Sequence, residues 1–236
     1  MPSLTLHHLQ ISQSERIPWL LEELSIPYTL QLYQRDPIFS PPSLKALHPM
    51  GASPVLEDAT FNPSNPLILA ESGAIAEYVI HKHGDGLLAL PPNHPNYADY
   101  LYWFHFSNSA LQPAILRRMT ARRAVQSLED PTFVMTSERL FQAIRHFDQR
   151  VSENTWLAGE EFTAADVMSV WCFTTVRKFE AFDLAEYPGV LAWLRRCTDR
   201  PAYRAAIGKC DPELDIEEGI RAEPPRRLAS LGPARN

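Results

Sequence analysis

The sequence predicts a small α/β domain followed by an all-helical domain. Three observations carry this expectation. A strand, an amphipathic helix and a second strand follow one another within the first 33 residues. Thirteen of the 21 prolines fall in residues 1–95 and only four in residues 96–210. Long apolar patterns of helical spacing fill that proline-poor stretch. An interior proline costs a helix roughly 3 kcal/mol, so a run with few of them can carry long helices. The chain has 236 residues, 45% of them hydrophobic. That suits one to two domains at about 150 residues each, with enough apolar material for a core.

Each element follows from its own pattern. Leu4 to Leu9 alternates as a strand. Ile17, Leu20, Leu21 and Leu24 then recur at i, i+3, i+4 and i+7, which makes an amphipathic helix. Ser14 is its expected N-cap. Pro18 lies in the early turns, where a proline costs less. Tyr28 to Tyr33 alternates again, and strand, helix, strand implies a parallel pair with a right-handed crossover. Residues 43–47 read as a helical turn or two among Pro37, Pro41, Pro42 and Pro49. Ser53 to Glu57 reads as a strand entered through Pro54, and Leu67 to Leu69 as its antiparallel partner. Glu71 and Ser72 precede a second helix with Ile75, Val79 and Ile80 on one face. The domains are read as 1–85, a linker over 86–95, a helical domain over 96–210 and a polar, frayed or wrapping tail over 211–236. Within the helical domain, residues 97–123, 131–151, 164–179, 190–197 and 202–207 carry helical patterns. The stretch 164–179 is apolar nearly all round, as a buried helix would be. Phe162-Thr163-Ala164-Ala165-Asp166-Val167 reads as a capping box, Thr163 with Asp166, and a hydrophobic staple, Phe162 with Val167.

The bulk numbers exclude several classes. Net charge is −6, and the basic cluster Arg117, Arg118, Arg122, Arg123 is better read as a solvated helix face than as a nucleic-acid site. No apolar run approaches 18 residues, so no spanning helix is expected, and the N-terminus shows no secretory pattern. The three cysteines, Cys172, Cys197 and Cys210, form no CxxC and suit a reducing cytoplasm. His7-His8 and His81-x-His83 lack the spacing of a metal motif, so no metal is expected.

Three places in the first domain offer chemistry beyond packing. Ser12-Gln13-Ser14 lies between a strand end and a helix start, where backbone N–H groups and the helix dipole stabilise an anion such as a thiolate. The same serines can simply cap the helix. Ser53-Pro54 is a candidate cis step that turns backbone groups outward toward an extended, peptide-like ligand, or an ordinary turn. Glu71-Ser72 opens a helix, where Ser72 can hold a carboxylate and Glu71 an ammonium, or where the pair is a plain cap.

Taken in this order and spacing, these residues resemble the cytosolic glutathione transferase superfamily over about residues 4–210. The strings HHLQISQSERIPWLLEEL, LHPMGASPVLED and LAESGAIAEYV resemble the serine-type transferases of fungi and bacteria. The resemblance implies a thioredoxin-like domain, an all-α C-terminal domain and a cytoplasmic homodimer. It gives Ser12 the role of the hydroxyl that stabilises the glutathione thiolate, with Ser14 as its competitor. The groups on either side of Ser53-Pro54 would pair with the cysteinyl part, and Glu71 and Ser72 would hold the γ-glutamyl ammonium and carboxylate. His48 stands near the glycyl end. A tyrosine-type assignment fails, because the first strand ends in His7, His8 and Leu9. A small hydrophobic electrophile would meet Tyr100, Trp103, Phe104, Ser107 and Leu111, although packing is expected to claim about half of them.

The leading expectation is therefore a glutathione transferase. The alternatives are a glutathione-dependent isomerase, whose site would look the same, and a non-catalytic binding protein on this fold. A thioredoxin-like reductase is disfavoured, because the first cysteine is Cys172.

Overall fold

A computed structural model describes residues 3–228 and divides the chain into two compact units. The first comprises residues 1–91 and 198–214. Its elements are β1 (Leu4–Leu9), α1 (Arg16–Glu23), β2 (Thr29–Tyr33), α2 (Pro42–Lys45), β3 (Val55–Asp58), β4 (Leu67–Ala70) and α3 (Ser72–Lys82). The strands form one sheet in the order β2-β1-β3-β4. β1 runs parallel to β2, with Leu6 opposite Leu30, and antiparallel to β3, with Leu6 opposite Leu56. β3 and β4 form the antiparallel pair expected from the turn-rich segment between them. Leu4, Leu6, Val55 and Leu56 from the sheet are buried, as are Ile17, Leu20 and Leu21 of α1 and Ile75, Val79 and Ile80 of α3. Burying a Leu or Ile side chain is worth about 1.5–3 kcal/mol, which pins the strand register and the helix faces.

The start of α1 differs from the expected one. Ser12, not Ser14, is the cap: it opens a 3-10 turn over Gln13–Glu15 that leads into α1, and its side chain accepts from Ser14 N. Ser14 lies inside the turn and is fully buried.

The second unit comprises residues 92–197 and 215–236. Its helices are α4 (Tyr97–Phe106), α5 (Gln112–Ala124), α6 (Pro131–Glu153), α7 (Ala164–Val170), α8 (Pro188–Thr198), whose last residue falls in the first unit, and, after α9 (Pro201–Cys210) of the first unit, α10 (Ile216–Gly219). Three of the four prolines in 96–210 start helices: Pro131, Pro188 and Pro201 each occupy the first helical position, where a missing N–H costs nothing. The fourth, Pro113, follows a wide π turn over Ser107–Leu111 that joins α4 to α5. There Gln112 N donates to Ser107 O, five residues back.

The capping box forms as read: Thr163 accepts from Ala165 N, and the Asp166 carboxylate accepts from Thr163 N. Asp166 also accepts from Leu157 N at 3.1 Å and Trp193 Nε1 at 2.8 Å. Phe162 packs edge-on against Trp156, with ring centroids 5.0 Å apart. The buried segment after the box is shorter as a helix than its apolar pattern suggested. α7 ends at Val170, and a 3-10 turn follows over Thr175–Lys178. Ser169 and Thr174 turn their hydroxyls onto carbonyls four residues back, and Val176 N reaches Trp171 O. Such bonds compete with the regular ladder.

Two boundaries move relative to the sequence reading. α9 belongs with the first unit, where Tyr203 meets Trp19 edge-on at 5.0 Å and Arg200 grips Glu23 with two bonds of 2.6 and 2.7 Å. The tail is also docked over its described part. Leu184 N donates to Ala222 O, Leu228 N to Lys178 O, and the buried Arg177 to the carbonyls of Arg221 and Ala222. Residues 229–236 of the expected tail lie outside the described residues.

Candidate active site

The three chemical places read from the sequence lie at the ends of β1, at the entry to β3 and at the start of α3, all in the first unit. Ile11 is in the left-handed region (φ 49°), which turns the chain sharply at the end of β1 into Ser12. Ser12 Oγ donates to Leu9 O at 2.7 Å, accepts from Ser14 N at 3.2 Å and lies 2.8 Å from Ser14 Oγ. The hydroxyl thus sits on the N-terminal side of a helical turn, where a negative charge is favoured by about 0.3–1 kcal/mol at an exposed site and by more in a partly buried one.

The Ser53–Pro54 peptide is cis, as expected. Ser53 Oγ accepts from Leu9 N at 3.1 Å, which fastens this step to the end of β1. Glu71 also adopts a left-handed backbone (φ 72°), uncommon for a residue with a side chain and found disproportionately where a ligand is clamped. Its carboxylate is exposed and makes no ion pair among the described residues. Ser72 is the first residue of α3 and is buried. His48 is half-buried; its Nδ1 accepts from Met50 N at 3.3 Å and its carbonyl from Gly51 N at 2.8 Å. Gly51 takes φ +59°, and a Cβ there would meet Lys45 Cγ at 3.2 Å.

Two residues passed over in the sequence join these places. Gln13 Nε2 donates to Ser53 O at 3.3 Å, while its Oε1 accepts from Arg16 Nη1 at 3.2 Å. Arg16, almost fully buried, also donates from Nη1 to Ser72 Oγ at 3.3 Å. One amide and one guanidinium therefore link the serine turn, the cis step and the start of α3. The local signal was a basic residue on the apolar face of α1, beside Ile17.

A second missed group stands behind the serines. Ser14 Oγ lies 2.7 Å from His8 Nδ1, and His8 Nε2 lies 3.0 Å from Asp211 Oδ2. Asp211 Oδ1 accepts from Ile11 N at 2.8 Å. No local pattern could reveal this pairing, because 203 residues separate His8 from Asp211.

The five residues expected to face an electrophile are all buried in the second unit. Trp103 stacks on His146 with centroids 4.9 Å apart and meets Phe106 and Phe147 edge-on. Tyr100 and Phe104 pack on each other. Ser107 Oγ donates to Met168 O at 2.5 Å, and Leu111 is fully enclosed. Packing therefore claims more of this stretch than the half expected.

Comparison with known proteins agrees with the fold. Residues 12–82 match the family model of the glutathione S-transferase N-terminal domain, and residues 129–201 that of its C-terminal domain. Glutathione S-transferase 3 of Schizosaccharomyces pombe is 29% identical over 223 residues, 88% of each chain. A solved glutathione S-transferase from Actinobacillus pleuropneumoniae superposes with a TM-score of 0.81 at 29% identity, covering 97% of this chain and 98% of that one. A glutathione transferase from Burkholderia graminis, solved with two glutathione molecules per subunit, shares the fold with a TM-score of 0.73 at 21% identity over 88% of each chain. Among the described residues, no helix is long and apolar enough to cross a membrane.

Proposed function

From the premise that this chain belongs to the glutathione S-transferase family, we propose that it holds glutathione as a thiolate against Ser12 and delivers the sulfur to a small hydrophobic electrophile. The observation that carries the reading is the buried Ser12 hydroxyl at the head of a helical turn, beside a cis Ser53–Pro54 step and an exposed Glu71 carboxylate. These groups suit glutathione, which is here a co-substrate. Glu71 offers a counter-charge to its ammonium. Ser72 and the N–H groups of the first turn of α3 offer donors to the adjacent carboxylate. The backbone flanking Ser53–Pro54 takes the cysteinyl part, and His48 stands for the glycyl end.

A free thiol with a pKa near 8.5 is mostly protonated at neutral pH, and donors at a helix start lower that value. One to two units of lowering, about 1.4 kcal/mol each, raise the thiolate fraction about 8- to 25-fold at neutral pH. Ser14 is enclosed, so Ser12 is the hydroxyl assigned to the sulfur. Ser12→Ala is expected to cut kcat/KM for conjugation about 10-fold or more while glutathione still binds. Full activity in that variant would remove Ser12 from the mechanism. Mass spectrometry of the products separates net transfer, which consumes glutathione, from isomerisation, which returns it. A homodimer belongs to the same reading, and light scattering tests it.

A further inference from the structure

Behind Ser12 runs an unbroken chain of side chains. Ser12 Oγ lies 2.8 Å from Ser14 Oγ, Ser14 Oγ 2.7 Å from His8 Nδ1, and His8 Nε2 3.0 Å from Asp211 Oδ2. Ser14, His8 and Asp211 are fully buried, and Ser12 is 6% exposed at the open end. The directions of these bonds follow from the groups. A carboxylate only accepts, so His8 Nε2 carries a hydrogen, and in a neutral ring Nδ1 then accepts from the Ser14 hydroxyl. The Nδ1 lone pair is the group at the inner end of this chain that can accept a proton, and Asp211 holds the ring in place for it.

We propose that His8, held by Asp211, receives the proton that the glutathione thiol gives up, through the Ser12 and Ser14 hydroxyls. This rests on the reading of Ser12 given above. The transfer balances. The S–H bond breaks, Ser12 Oγ takes that proton and passes its own to Ser14 Oγ, and Ser14 passes its own to His8 Nδ1. Both hydroxyls end reversed: His8 donates to Ser14, Ser14 to Ser12, and Ser12 to the sulfur. The same step that removes the proton therefore aims the Ser12 O–H at the anion it must hold. Ser12 releases Leu9 O in doing so. His8 is a positioning residue, since it acts through two others.

The charged and titratable groups around His8 fit this role. Asp211 faces it from the end of α9, with Cys210 next to it; Sγ lies 3.8 Å from Asp211 Oδ2. Glu15, in the serine turn, lies near enough to Cys210 to act on its thiol. Arg35 donates to the carbonyls of Gln10 and Ile11, and Asp211 acts on its charge. The ligand atoms of His8, Cys210 and Asp211 lie within 4.8 Å of one another, a spacing that metal ligands also show. Both Asp211 oxygens already accept hydrogen bonds, and burial pushes the Cys210 thiol up, so it stays protonated. The cluster is built to keep a proton.

The test is calorimetry of glutathione binding to the wild-type protein near neutral pH, in buffers of different ionisation enthalpy, with thiolate read by ultraviolet absorbance. The expected result is a thiolate signal with far less than one proton released per thiolate formed. One full proton released per thiolate would overturn the proposal. Ser14→Ala and His8→Gln are expected to lower the ratio of thiolate to thiol about tenfold at a given pH, equivalent to one pKa unit. Glutathione affinity should stay within about threefold of wild type, because Glu71 and Ser72 are untouched. Ser14→Thr, which restores the hydroxyl, should recover the signal. Wild-type thiolate titration in both cut variants would also overturn the proposal. If those variants do not fold, the wild-type proton count decides alone. A wild-type protein that binds no glutathione would instead refute the functional reading itself, and the wire with it.

Discussion

Asp166 is the carboxylate on which the second unit turns, and replacing it with alanine gives a quantitative test. Three buried donors converge on it: Leu157 N at 3.1 Å, Thr163 N at 3.1 Å and Trp193 Nε1 at 2.8 Å. Stranding a buried donor costs about 1–3 kcal/mol, so three of them cost about 6 kcal/mol together. An opposing effect reduces this. Burial lifts the Asp166 carboxyl to about 6, although all three hydrogen bonds pull it down. At neutral pH the native protein therefore bears about 3 kcal/mol for keeping that group ionised, which alanine relieves. The expected net loss is about 3 kcal/mol at pH 7.5.

The pH dependence has a definite sign. A folded-state pKa raised above the unfolded value means that the native protein binds the proton more tightly. The favourable contribution is complete below about pH 4 and fades as pH rises through about 6. The gap between wild type and Asp166→Ala should therefore widen by about 1 kcal/mol between pH 7.5 and pH 5. Urea unfolding at both pH values, followed by tryptophan fluorescence, measures it. A gap that stays flat or narrows at pH 5 refutes the account of a carboxyl raised by burial. A loss under about 1 kcal/mol at pH 7.5 refutes the account of stranded donors.

Other expectations follow from single contacts. Arg200→Ala removes the fork on Glu23, which leaves a nearly buried carboxylate with the Trp19 indole as donor; a loss of about 2 kcal/mol in urea unfolding is expected. Burial pushes Asp58 up, but hydrogen bonds from Thr60, Tyr78 and His83 outweigh it and hold the carboxyl below its ordinary value. Its contribution is present above the unfolded pKa and lost as pH falls through the folded one. Tyr78→Phe should thus move the acid limb of the stability curve to higher pH, and an unchanged limb would refute that account. Glu71→Gln is expected to weaken glutathione binding about tenfold by calorimetry, the low end for a hydrogen bond to a charged group. Unchanged affinity would release Glu71 from the ammonium.

Local patterns in the sequence are legible because the physics behind them is local. Alternation marked β1 and β2, and helical spacing marked α1 and α6. The Thr163–Asp166 box is a contact across three residues, and it formed as read. Ser53–Pro54 was visible as a turn proline entering a strand. What stayed hidden depends on distant partners. Ser14 looked like a cap because it stands close before Ile17; it was drawn inward instead by His8, whose own partner is Asp211. Gln13 and Arg16 were given no role, because their bonds to Ser53 and Ser72 span 40 and 56 residues. The end of α7 at Val170 was hidden for a different reason. An all-apolar stretch reports burial, while the turn is set by Ser169 and Thr174 bonding back to their own backbone.

The return of residues 198–214 to the first unit bears on how the protein is made. A ribosome delivers β1 to α3 long before it delivers α9. At about 5–20 residues per second, the wait for Asp211 is on the order of 10 s. Throughout that time the face of α1 that receives Tyr203 is uncovered, and His8 is without its carboxylate. The serine turn therefore gains its Asp211 support only after α9 has been synthesised. A chain stopped anywhere before α9 would carry Ser12, Glu71 and Ser72 and still lack the support behind them. Synthesis of α9 is in effect a checkpoint on the assembly of the thiol site, written into the order of the elements along the chain.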